Sequence, residues 1–90
     1  MVVGDKVRVI NDRMCYSTYR AFARKYLKRK LYLKWLALYK TLTRVVGTDG
    51  DEGIIVAIHP HSRYMTEDLC IVDAPNNIFI IGIEGLEVIS

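Results

Sequence analysis

Ninety residues of which 51% are apolar are enough for one domain with a single hydrophobic core, and too apolar for an intrinsically disordered chain. No uninterrupted apolar run approaches the ~20 residues that a bilayer-spanning helix needs. The net charge of +3 conceals a strong segregation: residues 13–48 carry +10 and no Asp or Glu, while the flanks carry −7. A surface so polarised points to a partner of opposite sign.

In chain order, Val2 to Ile10 reads as a strand, because Val7 and Val9 alternate with Lys6 and Arg8. Asn11 and Asp12 end it, both being turn and helix-cap residues. From about Arg13 to Val46 there is no Gly or Pro, and the composition predicts helix. At 100° per residue, Tyr16, Tyr19, Phe22, Ala23 and Tyr26 share one face. From Leu31 onward the apolar face is a different one, formed by Leu31, Trp35, Leu38, Tyr39, Leu42 and Val46. The change falls at Lys28-Arg29-Lys30. Two helices meeting there, or one helix buried on different sides along its length, both accommodate it.

The remainder reads as β structure. Gly47 to Gly53 is a turn-prone acidic link, and Ile54 to Ile58 is an apolar run of strand length. His59-Pro60-His61-Ser62 breaks that run before a strand at Leu69 to Val72. Pro75-Asn76-Asn77 forms a hairpin turn, in which the Asn pair is expected to supply the positive φ values of a type I′ turn. Ile78 to Ile81 follows, then a bend between Gly82 and Gly85, then a last strand from Leu86 to Ile89.

The strand that opens Gly4-Asp5-Lys6-Val7-Arg8-Val9 resembles the first strand of KOW-type SH3-like domains in ribosomal and transcription-elongation proteins. Gly50-Asp51-Glu52-Gly53-Ile54-Ile55-Val56-Ala57-Ile58 is similar to the glycine-punctuated loop and branched strand of the same domains. The segment from Ile78 to Ile89, with Glu87-Val88-Ile89, resembles the end of small prophage-encoded SH3-like proteins of Bacillus. The resemblance implies an α+β protein: a small SH3-like five-stranded β-barrel (1–12 and 47–90) with a long basic helical insert after the first strand (13–46), all in a single domain. One departure bears on function. The KOW loop carries a basic residue before its central glycine, whereas here Asp49 stands there, with Asp51 and Glu52 following. An acidic loop repels phosphate, which leaves the insert as the basic surface.

The candidate partner-binding residues are therefore Arg20, Arg24, Lys25, Lys28, Arg29, Lys30 and Lys34, with Tyr32, which lies on neither apolar stripe and is expected to be exposed. A helix face solubilised only by lysines normally includes acids in i,i+4 pairs, and none occur here. Tyr16, Tyr19, Phe22, Tyr26, Trp35 and Tyr39 would stack on bases if exposed, but their spacing favours the core. His59 and His61 with Cys15 or Cys70 lack metal-ligand spacing, so no metal or other cofactor is expected. Cys70 in an apolar strand is a poor nucleophile, and Glu67-Asp68 diverge on the backbone, so no catalytic site and no enzyme is expected. With no leader after Met1, both cysteines are expected as free thiols in a cytoplasmic protein. These features together suggest a non-catalytic binding protein, a phage-type modulator docking its basic helical insert on an acidic surface of a host protein. The alternative partner is nucleic acid bound by the same helix.

Overall fold

The computed structural model describes residues 1–16, 20–41, 46–63 and 67–89. The chain is α+β: two helices and a curled, half-barrel sheet of six antiparallel strands. The strands are β1 (Lys6–Val9), β2 (Cys15–Tyr16), β3 (Glu52–His59), β4 (Leu69–Ala74), β5 (Asn77–Gly82) and β6 (Leu86–Val88), ordered β2-β5-β4-β3-β1-β6. The helices are α1 (Arg20–Tyr26) and α2 (Arg29–Thr41).

Helix does not begin at Arg13, as composition suggested. The Asn11 side chain accepts the Arg13 N–H and caps a 3-10 turn, Asp12–Met14. Asp12 and Asp49 exchange backbone-to-carboxylate bonds of 2.7 and 3.2 Å, and Cys15 and Tyr16 then pair with Ile81 and Ile80. These long-range bonds override a local helical preference that is worth only tenths of a kcal/mol per residue. Tyr16 thus leaves the helical stripe for an edge strand, while Tyr19, Leu42 and Arg44 lie outside the described residues.

The helical segment resolves into two helices, separated at Leu27 and Lys28. The break has a packing cause. Phe22, Ala23, Leu27 and Trp35 must all reach the same apolar sheet face, and the two sequence stripes are rotated too far apart for one straight rod to do so. Tyr26, Leu31, Tyr32, Leu36 and Leu38 pack around that cluster.

Strands β4 and β5 are buried on both faces, so they read as continuous apolar runs rather than alternating ones. Leu69, Ile71, Ile78 and Ile80 face the helices, while Cys70, Val72, Phe79 and Ile81 face a second core with Val7, Val9 and Leu86. In β3 the register shifts between Ile55, opposite Val72, and Ala57, opposite Ile71. That bulge lets Ile55 enter the inner core while Ala57, two residues on, enters the outer one. It also helps bend the sheet. On the wet side, Arg8 of β1 holds Glu52 and Glu87 on its two neighbouring strands, each at 3.1 Å.

The β4–β5 turn sits where the sequence placed it but is of another type. Ala74 pairs with Asn77, leaving Pro75-Asn76 at the corner, and no described non-glycine residue has positive φ. Proline fixes the first corner residue at φ near −65°, so the turn needs no left-handed asparagine.

The helices are therefore half of the outer core. Trp35 is 1% exposed, and its indole Nε1 is the one buried side-chain polar atom without a partner among the described residues. Trp35→Ala should cost about 3–5 kcal/mol in denaturant unfolding. Trp35→Phe, which keeps a ring and removes an unsatisfied donor, should cost much less. Equal losses in the two variants would show that the indole N–H, rather than ring volume, is what the site uses.

Candidate functional site

The eight candidate residues divide sharply in space. Arg20, Arg24 and Lys25 of α1, Lys28 in the link, and Arg29 and Lys30 in the first turn of α2 are all exposed. Among the described residues none of the six has an ion-pair partner. The helix break thus gathers five cations within residues 24–30 on the outside of the fold.

Tyr32 and Lys34 turn the other way. Tyr32 is half-buried, with its ring centroid 5.8 Å from that of Trp35, because α2 buries a wider face than the sequence stripe indicated. Lys34 lays its ammonium on the Asp73 carboxylate and the Ala74 carbonyl, tying α2 to the end of β4. Its partner lies 39 positions away, so no helical spacing rule could reveal the pair.

Most of the described aromatic residues of the helices also point inward, although Tyr39 stays 44% exposed. Phe22 and Trp35 are buried, and the Tyr39 ring stacks on Trp35 at 4.9 Å and 21°. Tyr26 packs on Phe22 at 4.7 Å and hydrogen-bonds through its hydroxyl to Nδ1 of His59. His59 in turn meets Phe22 edge-on, at 5.6 Å. Of the aromatics read as stacking candidates, Tyr16, 40% exposed on the edge strand, stays outside the helical layer.

The Tyr26–His59 bond fixes the basic junction near the last residue of β3. Asp12, Asp49, Asp51 and Glu52 gather at the other end of that strand, about 23 Å away for eight extended residues. Near the basic end, Asp68 is already engaged: it accepts the backbone N–H of His61 at 2.8 Å and approaches the His61 ring at 2.7 Å. Those two bonds, backbone first, hold the Asp68 carboxyl below its ordinary pKa. Among the described residues none of these acids pairs with the six cations, of which Lys25 lies over the Tyr26 ring at 5.3 Å.

Among the described residues, no three of His, Cys, Asp and Glu lie close enough together to hold a metal ion. Nor is any helix among them long and apolar enough to cross a membrane. Comparison of the chain with protein-family models, with curated proteins and with solved structures gives no match.

Cys15 and Cys70 both lie opposite Ile81, on the two strands that flank β5. Two strand spacings separate their Cα atoms by about 9–10 Å, beyond the ~7 Å that a disulfide tolerates. Neither is in a disulfide. Burial pushes the Cys70 thiol up to about 11, whereas Cys15 is half-buried and donates to the Gly47 carbonyl at 3.7 Å. With a thiol reagent at pH 8, Cys70 of the native protein should stay unmodified while Cys15 reacts slowly, and both should react in denaturant. Mass spectrometry finding Cys70 labelled as fast as Cys15 would contradict the buried assignment.

Proposed function

We propose that this chain is a non-catalytic binding protein whose helical layer docks its cationic junction on an acidic surface of another protein. The observation that carries the reading is the group of six exposed cations, from Arg20 to Lys30, with no carboxylate partner among the described residues. Like charges held together repel at short range. An acidic surface relieves that repulsion, and it also raises the association rate.

The SH3-like barrel with a helical insert remains part of the proposal. It is supported by the strand order β6-β1-β3-β4-β5, by the curl of the sheet and by the 3-10 turn, Ile83–Gly85, before the last strand. The two-residue strand β2, added at the edge beside β5, is the departure from five strands. The resemblance to prophage-encoded proteins extends the reading to a phage-type modulator acting on a host protein in the bacterial cytoplasm.

One observation favours the second reading, nucleic acid. The inward turn of Phe22, Tyr26 and Trp35 leaves the junction with charge and little apolar surface, which suits contact with phosphates alone. Against it stand Asp12, Asp49, Asp51 and Glu52, which would repel a duplex that wraps around the domain.

The triple variant Arg24→Glu, Lys28→Glu, Arg29→Glu should lose the partner captured from bacterial lysate while keeping its thermal midpoint almost unchanged. Three changes are needed because one exposed charge contact is worth ~1 kcal/mol or less. Capture should survive nuclease treatment and weaken only modestly with salt. A loss of about a thousandfold or more in affinity between 50 and 200 mM salt would instead identify phosphate as the ligand. Undiminished capture by the triple variant would remove the junction from both readings.

A further inference from the structure

The outward face of α2 has a composition of its own. Setting Leu33 at 0° and advancing 100° per residue puts Lys40 and Arg29 at about −20° and −40°, and Ala37 and Lys30 at about +40° and +60°. All five are exposed, whereas Trp35, at about 200°, lies on the opposite side and is buried. Leu33 is 52% exposed. A single exposed leucine is ordinary. Here, however, it sits beside Ala37 in the middle of an arc of about 100° that is rimmed by cations on both sides. The helix contains no acid at all.

Resting on the reading that this layer binds an acidic protein, we infer that the partner presents an acidic amphipathic helix, seated along α2. Its apolar stripe lies on Leu33 and Ala37, and its carboxylates reach Arg29, Lys30 and Lys40. Three features select a helix. Leu33 and Ala37 are four apart and form an i±4 ridge, the row that interdigitates with a second helix. Alanine at the second position keeps the contact thin, allowing the axes to approach to about 8 Å. The thirteen residues of α2 extend about 20 Å, enough to match three to four turns of the visitor. Cations on both rims complement a helix with acidic flanks on either side of its apolar stripe, the arrangement that sets register in paired helices. A phosphate backbone would gain nothing from Leu33.

The probe is a synthetic peptide of repeated heptads with Leu at the a and d positions and Glu at most others, kept dilute enough to be monomeric and largely unfolded. The controls are a scrambled peptide of the same composition, poly-Glu and a short DNA duplex. The full chain should bind the heptad peptide at least about tenfold more tightly than the scrambled one, and circular dichroism should show the peptide gaining helix on binding. Leu33→Ser should lower that affinity by about tenfold without moving the thermal midpoint, since the residue is exposed. Ala37→Gln should weaken binding similarly by holding the helices apart.

Equal binding of the scrambled peptide and poly-Glu, indifferent to Leu33→Ser, would overturn the helix seat while leaving the cationic junction as an acidic-protein site. Failure of every acidic probe at low salt would take down both. Preference for the duplex, with a steep salt dependence, would replace the helix with nucleic acid.

Discussion

The structure depends on the apolar outer face of strands β3 to β5. Ala57, Leu69, Ile71, Ile78 and Ile80 all point away from the inner core and would be bare without the helices. At ~25 cal/mol per Å², several such side chains left in water would cost a domain of this size most of its stability. Trp35 is the largest side chain laid against that face, and Phe22, Ala23 and Leu27 complete the cover. The helical segment is thus a layer of the fold as well as a carrier of charge. Its inner stripe is committed to the core, so the groups left for any partner are those on its outer side.

That commitment is possible because the sheet has two buried faces at once. An antiparallel strand ordinarily sends alternate residues to core and water. In β4 and β5 both alternations are apolar, and the bulge at Val56 allows β3 to serve both cores within a few residues. Nearer its start β3 exposes Ile54 and Glu52 on the outer side, where β1 contributes Lys6 and Arg8. One curled sheet therefore has a dry half under the helices and a wet half laced by Arg8 and its two carboxylates.

Much of this was legible in the sequence, for identifiable reasons. Val7 and Val9 alternate with charges, and the runs at Leu69 and Ile78 are too apolar for anything but a core, so the five longer strands fall where expected. The break between the helices could not be decided, because Leu27-Lys28 contains no Gly or Pro and the cause is the position of the sheet. Strand β2 was hidden for a similar reason: two residues carry no period, and Cys15 and Tyr16 become a strand only by pairing with Ile81 and Ile80. Of the site, the exposed cations from Arg20 to Lys30 were legible as a charge pattern. Lys34 and Tyr32 turn inward for reasons that spacing does not carry, one having its partner on a distant strand and the other lying beside Trp35. Leu33 and Ala37 were legible only after the buried face of α2 had been assigned.

The charge segregation and the layered core are two consequences of one arrangement. A helix layer that must bury Phe22, Leu27 and Trp35 has its polar positions fixed by geometry, and here every charged one of those positions is Lys or Arg. Acids placed among them would have formed i,i+4 pairs and given a few tenths of a kcal/mol each. Their absence gives up that small stabilisation and leaves the junction repulsive within a Debye length, about 8 Å at physiological salt. The carboxylates that could have relieved it are instead drawn to Arg8, to Lys34, to His61 and to the turn at Thr48. Each of those acids has a partner within the domain, whereas among the described residues none of the six cations has a carboxylate partner, although Lys25 lies over the Tyr26 ring at 5.3 Å. The layer thus keeps its cations on the outside of the fold, where the acidic partner proposed above would meet them.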